Sequence, residues 1–376
     1  MLIDMRRVDF ALPKEVYTVR RRYGKSSPAS VRRMARVLAW ACLLALVFCA
    51  VGCSDQVLGE DTEAATRGPY DPSQGEELTI YYETEPETGF IIGGDDPIDL
   101  FAGAEHLMYA EFLDTGKSDC LLLRLDDTVI LVDAADADDY ARISQKLIGY
   151  GISVIDYFII THYDNDHIGS AAQVLQNFTV KTVYMPDYVR DSRLYRTLAD
   201  RLSLMADRTE VYRLTEDVTV ELPYGSLWIN PTRLYENGIT MGSDEDNLTA
   251  EENNFSLITS VYFGNVSLLL LGDAERERME EFYALFADGT NGVTHTEFDY
   301  NLVKTPHHGE SDKGLLKALT ALTAAKPRYC VVCVDDPDYV SSELVTKMRS
   351  IPAGAYYTSG GDVAFVTDGN AMVVTQ

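Results

Sequence analysis

Residues 162–167, "HYDNDH", hold two histidines and two aspartates in six positions. Imidazole and carboxylate groups bind divalent cations in proteins. His162 and Asp164 are two residues apart, so in an extended chain they project to the same side, and Asp166 and His167 follow in the next turn. A solvated polar turn explains one histidine and one aspartate, but not four potential ligands behind an apolar strand. The segment therefore predicts a metal site.

Acids and histidines also follow apolar strands elsewhere in the chain. The residues in such positions are Asp133 after "VILV", Asp273 after "LLLLG", and His307 and His308 in "LVKTPHHGE". Strand ends and loops are where a rigid scaffold presents functional groups, so these side chains are candidates for the same site. His106 and His295 lack this context and are predicted to be ordinary surface or packing residues.

The elements that must position these groups follow from the hydrophobic pattern. Strands are predicted at "LMYAEFLD", "CLLLRL", "TVILVD", "VIDYFIIT", "KTVYM" and "YCVVCV", a hairpin that turns at Gly264-Asn265, and a terminal hairpin at 355–375. Helices are predicted at "DADDYARISQKLIGYG", "IGSAAQVLQNF", 191–207 and "AERERMEEFYALFA". Strands predominate in two blocks flanked by helices. This order favours an α/β fold with two sheets sandwiched between helical layers over a doubly wound parallel sheet.

The amino-terminal residues 1–53 differ in kind from the rest. Ten Lys or Arg in residues 1–36 precede an uncharged run from Val37 to Cys53, which is typical of an export signal. "AVGC" resembles a bacterial lipobox, which would make Cys53 the lipidated first residue of the mature protein. An uncleaved membrane anchor is the alternative, and a start at Met34 would make residues 1–33 a misassigned extension. Each interpretation places the remainder outside the cytoplasm.

The mature chain is predicted to be strongly acidic. Residues 54–77 are acidic and rich in small residues, which predicts a disordered tether, and 78–376 form the domain. The whole chain has a net charge of −27, and the loss of residues 1–52 would bring it to −34. Such a charge argues against a general nucleic-acid-binding surface.

The cysteines of "CVVC", Cys330 and Cys333, invite a redox or zinc-ribbon interpretation. They lie within an apolar run, and residues three apart in a strand are about 10 Å apart and face opposite sides. Such thiols cannot bridge each other. Buried structural thiols are therefore predicted.

"HYDNDH" resembles the H-x-[HD]-x-D-H motif of the metallo-β-lactamase superfamily, an αββα four-layer sandwich that holds one or two metals between its sheets. The resemblance extends over roughly residues 107–370. The order of "EFLDTGKSDCLLLR", "VILVDAA", "LVKTPHHGE" and "YYTSGGDVAFVTDG" is similar to that of the extracytoplasmic hydrolase domain of ComEC-type DNA-uptake proteins.

The resemblance implies two divalent ions, Zn²⁺ or Mn²⁺, and a role for each candidate residue. The implied metal ligands are His162 and Asp164 for the first ion, Asp166, His167 and His308 for the second, and Asp273 for both. Asp133 is implied to orient a ligand, and His307 to act as general acid.

The chain also departs from the superfamily pattern. No histidine lies between His167 and His295, so the usual histidine of the third motif is missing, and Asn254 in "NNFSL" stands in the corresponding place. With one imidazole fewer, the first ion has harder ligands, which favours Mn²⁺ or a weak Zn²⁺ site.

These features predict an extracytoplasmic, lipid-anchored metallohydrolase of phosphoesters, with phosphodiesters of nucleic acid or of a cell-envelope polymer as substrates. A metal that lowers the pKa of bound water to about 7 would supply hydroxide, and a second ion about 3.5–4 Å away would stabilise the developing charge. One alternative is hydrolysis of β-lactams or other amides and esters. The other is a metal-binding lipoprotein without turnover.

Overall fold

The computed structural model describes residues 101, 103–233, 240–241, 249–287, 299–310 and 327–376. The predicted export signal with Cys53, the tether at 54–77, and His295 lie outside the described residues and stay predictions. Within these ranges, no helix is both long and apolar enough to cross a bilayer.

One eight-stranded sheet contains the amino-terminal strands and the last two strands of the chain. Its strands are β1 (Met108–Phe112), β2 (Leu121–Leu125), β3 (Thr128–Val132), β4 (Val154–Ile159), β5 (Thr179–Pro186), β6 (Glu210–Leu214), β16 (Val363–Thr367) and β17 (Met372–Thr375). They are hydrogen-bonded in the order β17-β16-β1-β2-β3-β4-β5-β6.

A seven-stranded sheet is built from the middle of the chain. Its strands are β7 (Val218–Leu222), β8 (Gly225–Asn230), β11 (Ile258–Phe263), β12 (Val266–Leu270), β13 (Leu302–Lys304), β14 (Tyr329–Val332) and β15 (Gly354–Tyr357). They are hydrogen-bonded in the order β15-β14-β13-β12-β11-β8-β7. The short strands β9 (Thr240–Met241) and β10 (Thr249–Ala250) pair separately in parallel.

Helices cover the outer faces of both sheets. The α-helices are α1 (Tyr140–Gly149), α2 (Asn165–Ile168), α3 (Ala171–Asn177), α4 (Arg193–Ser203), α5 (Arg276–Ala287) and α6 (Ser342–Met348). One core cluster lies between the eight-stranded sheet and α1, α3 and α4, a second between the two sheets, and a third between the seven-stranded sheet and α5 and α6. The predicted αββα sandwich is therefore confirmed.

Parallel pairing brings the carboxyl ends of strands to common edges. In the eight-stranded sheet β3 pairs in parallel with β4, with Val132 opposite Ile159. In the other sheet β12 pairs in parallel with β13, with Leu270 opposite Lys304. Because the candidate residues directly follow these strand ends, the topology explains how segments far apart in sequence converge.

Two predictions on the second half of the chain have different outcomes. The hairpin at Gly264-Asn265 is confirmed, since Phe263 pairs with Val266 and Gly264 takes a positive φ of 57°. The terminal hairpin at 355–375 is wrong as a single unit. Its first strand, β15, pairs in parallel with β14, and only β16 and β17 form a hairpin. A 3₁₀ turn at Thr358–Gly360 separates the two, and a hydrophobic run alone does not reveal which sheet a strand joins.

The two cysteines of "CVVC" are buried free thiols, as predicted. Cys330 packs between β14 and the outer helices, whereas Cys333 packs between the two sheets. The opposite directions follow from the alternation of side chains along an extended chain.

Candidate metal centre

Four of the predicted ligands converge on one point. Asp166, His167, Asp273 and His308 each offer a ligand atom, and these atoms all lie within 4.8 Å of one another. Asp273 Oδ2 is 3.2 Å from the Nε2 atoms of both histidines, and His308 Nε2 is 3.3 Å from Asp166 Oδ2. We call this set the metal cluster. It contains the residues that the resemblance assigned to the second ion, together with the shared aspartate.

The "HYDNDH" half of the metal cluster is fixed by close packing against the loop after β3. The backbone of Ala134 donates to His167 O at 2.8 Å, and Ser170 N donates to Ala134 O at 3.2 Å. Gly169 comes so close to this loop that a Cβ atom would lie 2.3 Å from Ala137 N. The small residue in "HIGS" is therefore required for the approach of α2 to the Asp133 loop.

The other half of the metal cluster, Asp273 and His308, lies in tight turns after β12 and β13. Gly272, with a φ of 52°, immediately precedes Asp273, and its carbonyl oxygen accepts from His307 N at 3.1 Å. His307 and His308 have positive φ values of 47° and 50°. Such values are uncommon outside glycine and cluster at functional sites, where the surrounding structure maintains them.

The ligand atoms of the metal cluster fit a divalent cation. The side chains of His167, His308 and Asp273 are almost completely buried. Among the described residues, the Nε2 atoms of His167 and His308, which both face Asp273 Oδ2, have no hydrogen-bond partner. A buried polar atom without a partner costs about 1–3 kcal/mol, so two such atoms at one point are expected only where a ligand satisfies them.

The other ring nitrogens of both histidines are held by the protein. His167 Nδ1 is 2.7 Å from Asp133 Oδ2, and His308 Nδ1 is 2.8 Å from the carbonyl oxygen of Cys333. Asp133 also accepts from the backbone and the hydroxyl of Thr161, at 2.8 and 2.7 Å. A metal-bound histidine usually donates its second N–H to such a carboxylate or carbonyl group, which directs Nε2 at the metal. This contact gives Asp133 the orienting position that the resemblance implies.

The charges of the metal cluster are strongly interdependent. Burial alone would lower the pKa of His308, but the carboxylates of Asp273 and Asp166 raise it to about 9. Burial likewise opposes the charged form of His167, yet Asp273 and Asp133 raise its pKa well above the usual value. Burial would raise the pKa of Asp273, but the two histidines hold it well below its usual range. Without a cation, protons on the histidines therefore compensate the buried carboxylates.

The residues assigned to the first ion have a different environment. His162 Nε2 is 3.5 Å from Asp164 Oδ2, while the other carboxylate oxygen of Asp164 accepts from the guanidinium group of Arg190. Burial would raise the pKa of Asp164, but His162 and Arg190 lower it far below the usual value. Arg190 also lies 2.7 Å from Glu252 Oε2. A protein cation thus occupies one side of the first-ion position.

Asn254 is engaged elsewhere. Its amide nitrogen donates to Glu277 Oε2 at 3.1 Å, and its amide oxygen accepts from the backbone N–H of Arg278 at 3.0 Å. Both contacts lie in the first turn of α5, where an asparagine side chain satisfies a helix N–H group that has no partner within the helix. These contacts give Asn254 a capping position and do not support its assignment as a substitute ligand for the first ion.

His307 adjoins the metal cluster and has a more open position than His308. Its side chain is 17% exposed, and its ring nitrogens lie 3.7 Å from Glu275 Oε1 and 3.8 Å from Glu310 Oε2. Both carboxylates lie within ion-pair distance of the imidazole, whose ring is partly exposed. His106, by contrast, pairs with Asp126 and stacks on Tyr224, which fits the predicted packing role.

Besides Arg190, sequence reasoning missed Lys304 and Asp119. The Lys304 ammonium is buried, pairs with Asp119, and lies 3.6 Å from Asp273 Oδ1. Burial would lower the pKa of Lys304, but Asp119 and Asp273 raise it. Asp119 also belongs, with Asp133 and His167, to a second group of residues that could hold a metal ion. The available signals were a lysine inside the apolar run "NLVKT" and an aspartate directly before the apolar strand "CLLLRL".

A sequence model described as the metallo-beta-lactamase superfamily matches residues 113–333, which is more than half of the 376 residues. The chain belongs to the metallo-β-lactamase superfamily. Members of this superfamily are generally metal-dependent hydrolases, and the metal cluster lies within the matched residues.

Relatives of known sequence or structure are distant. ComE operon protein 3 of Bacillus subtilis (strain 168) is 28% identical over 160 residues, which are 42% of this chain and 18% of that protein. The chain thus matches less than a fifth of the length of this relative, and the match supports the ComEC-like resemblance.

Two solved structures that resemble the chain are more remote in sequence. The metallo-β-lactamase fold protein YhfI of Bacillus subtilis is 14% identical, with a TM-score of 0.43 over 70% of this chain and 99% of that one. Zn²⁺-bound PqqB of Methylobacterium extorquens is 12% identical, with a TM-score of 0.40 over 65% of this chain and 85% of that one.

Proposed function

We propose that the protein is an extracytoplasmic, metal-dependent phosphoesterase that is attached to the membrane through lipidated Cys53. The observation that carries the proposed activity is the convergence of Asp166, His167, Asp273 and His308, whose ligand atoms lie within 4.8 Å of one another. A divalent ion bound there would lower the pKa of a water molecule and polarise a phosphoryl oxygen. The proposed cellular location rests on the sequence of residues 1–53 alone.

The side chains of the chain have separable tasks in this proposal. Asp133 holds the ring of His167 in the orientation that directs Nε2 at the ion, and the carbonyl group of Cys333 does the same for His308. Asp273 lies between both imidazoles, where its carboxylate can bind the ion. His307 would donate a proton to the departing alkoxide as general acid.

The charges of the protein favour binding of an anionic substrate only near the metal cluster. The chain has a net charge of −27, so a phosphoester is repelled by most of the protein surface. The bound cation and Arg190 would be the attractive charges. We therefore infer that substrates are phosphodiesters presented as an accessible segment, from nucleic acid or from a cell-envelope polymer.

The proposal is tested with full-length protein purified in detergent and supplied with Mn²⁺ or Zn²⁺. Hydrolysis of bis-p-nitrophenyl phosphate should depend on the added metal, and His167→Ala should reduce it to background. His106→Ala is the matched control, because His106 pairs with Asp126 away from the metal cluster and should leave turnover unchanged. Nitrocefin, assayed in parallel, should not be hydrolysed. Metal-independent turnover, or none with either ion, contradicts the proposal.

One alternative is favoured by a specific observation, the arginine beside Asp164. A protein that binds metal without turnover would tolerate a first-ion position engaged by Arg190. Stoichiometric metal in the purified protein, with no hydrolysis of phosphodiesters, phosphomonoesters or nitrocefin, would support this alternative over the phosphoesterase.

A further inference from the structure

Arg190 was assigned no role by the sequence motif, yet it contacts a residue of that motif. Its Nη1 atom pairs with Asp164 Oδ1, whose partner oxygen faces His162 Nε2 at 3.5 Å. The same Nη1 atom lies 2.7 Å from Glu252 Oε2. The guanidinium group therefore lies between two carboxylates at the edge of the position that a first ion would take.

The position of this arginine is built by buried neighbours. Glu252 accepts a hydrogen bond at 2.7 Å from the hydroxyl group of Tyr188. That hydroxyl oxygen in turn accepts at 3.0 Å from the backbone N–H of Tyr163, which is itself part of the "HYDNDH" segment. The side chains of both tyrosines are buried. A chain of contacts thus connects the counter-ion of Arg190 back to the backbone of the motif.

The chemistry of the guanidinium group argues against a second metal at this place. Arginine remains protonated in proteins, so Arg190 cannot lose its charge to admit a cation. Arg190 already pairs with one oxygen of Asp164. Asp164 is the only carboxylate that the motif assigns to the first ion and not to the second. The missing histidine of the third motif removes another ligand, and Asn254 is engaged at the start of α5.

We propose that the protein binds a single divalent ion, at the metal cluster, and that Arg190 supplies the second positive charge of the site by holding a phosphoryl oxygen of the substrate. A guanidinium group has five N–H donors in a planar fork that matches phosphate oxygens, and the contacts to Asp164 and Glu252 use one of its nitrogens. The substrate half of this inference rests on the proposed function. Arg190 would then favour phosphoester anions over neutral amides.

The ion count is measured by equilibrium dialysis of the full-length protein against Mn²⁺ or Zn²⁺, followed by elemental analysis. Wild type should bind one ion per chain, and so should Arg190→Lys, which keeps the charge. Arg190→Gln should bind two, because it releases Asp164. Arg196→Gln is the matched control, since Arg196 forms an exposed pair with Asp191 and should leave the count at one. Two ions in wild type overturn the single-ion inference, and one ion in Arg190→Gln overturns the inference that Arg190 excludes the second ion.

The substrate role is measured with one equivalent of metal, which keeps the ion number equal among variants. Arg190→Gln should raise KM for bis-p-nitrophenyl phosphate by about tenfold or more, as expected for loss of a charge-assisted contact, and Arg190→Lys should recover part of the loss. Turnover of neutral p-nitrophenyl acetate should be unchanged in both. An equal loss with the neutral ester, or an unchanged KM for the anion, overturns the role.

The proposed function and this inference fail in distinguishable ways. If wild type shows no metal-dependent hydrolysis, the phosphoesterase proposal and the substrate role of Arg190 both fail. The dialysis experiment still decides the number of ions, because it requires no turnover.

Discussion

Two clusters of charged and titratable residues in this protein differ in how their atoms are used. The first is the metal cluster of Asp166, His167, Asp273 and His308. The second, which we call the ion-pair cluster, connects α1 to β1 and to the residue before β16. Its members are Glu111, Asp114, Arg142, Lys146 and Asp362.

The ion-pair cluster satisfies its own charges. Glu111 accepts from Lys146 at 2.7 Å and from the hydroxyl group of Tyr150 at 2.9 Å. Asp362 accepts from Arg142 and from the backbone of Asp114, both at 2.7 Å, and lies 2.6 Å from Lys146. Each carboxylate of this cluster therefore has a cationic partner of the protein itself.

The metal cluster leaves its atoms unsatisfied. The Nε2 atoms of His167 and His308 point at a shared carboxylate and, within the described ranges, form no hydrogen bond there. The cationic partner of Asp273, Lys304, stays on the other side at 3.6 Å from Oδ1. Carboxylates that pair with arginine and lysine are satisfied within the protein. Acids and imidazoles that converge without hydrogen bonds to one another are arranged for a ligand.

The largest expected effect separates the two clusters by their metal content. Asp273→Ala should reduce bound Mn²⁺ or Zn²⁺ and phosphodiester hydrolysis to background, because Asp273 contacts both histidines of the metal cluster. Asp362→Asn, which neutralises a carboxylate of the ion-pair cluster, should retain the metal. Elemental analysis after dialysis measures both. Retention of metal by Asp273→Ala would refute the assignment of the cluster.

A change in the ion-pair cluster should affect stability without affecting metal binding. Lys146→Met removes a cation from Glu111, which is buried, and should lower the free energy of unfolding by roughly 3 kcal/mol. Chemical denaturation monitored by circular dichroism measures the change. The variant should bind metal with the affinity of wild type at temperatures where it is folded. Loss of metal affinity in the folded variant would show that the two clusters are coupled.

Metal affinity should depend on pH, because protons on the histidines of the metal cluster compete with the ion. The arginine and lysine of the ion-pair cluster keep their charge over the same pH range. The raised pKa of His308, about 9, means that below pH 9 a proton must leave Nε2 before the ion binds. The pKa of His167 is raised as well, so two protons compete with the ion, and affinity for Mn²⁺ should fall by more than tenfold, up to about a hundredfold, for each pH unit between pH 8.5 and pH 6.5. Calorimetry in buffers of different ionisation enthalpy counts the released protons. A constant affinity over this range would mean that no proton is displaced.

The smallest expected effect concerns Asn254. Asn254→Ala removes the side-chain acceptor for Arg278 N at the start of α5 and should cost about 1 kcal/mol of stability. The number of bound ions and their affinity should not change, as in Asp362→Asn. A loss of one ion from Asn254→Ala would instead place this side chain among the metal ligands.

Much of the fold and half of the site followed from local patterns. The strand-like runs and the "HYDNDH" segment are contiguous, so their hydrophobic alternation and ligand spacing are visible in the sequence. Asp273 and His308 could be predicted because each directly follows an apolar strand, and parallel strands end at a common edge. Ligands of this kind are positioned by the ends of regular strands.

Other parts could not be predicted because they depend on contacts between distant segments, which no local sequence pattern indicates. Arg190 lies in a loop 26 residues from Asp164, and no pattern links the two. Asn254 looked like a ligand by its place in the order of motifs, yet its side chain bonds to the helix that follows. The separation of β15 from the β16–β17 hairpin depends on a turn that moves the chain between sheets.

The sequence by itself determined the layered fold, the buried free cysteines and a set of residues able to bind a divalent cation, because periodicity and residue chemistry are local properties. Only the tertiary structure decided which of those residues share a point in space and which are engaged by a neighbouring charge. Distance and burial set the strength of electrostatic contacts, and both arise when remote segments pack together. For this reason the two halves of one six-residue motif have different surroundings.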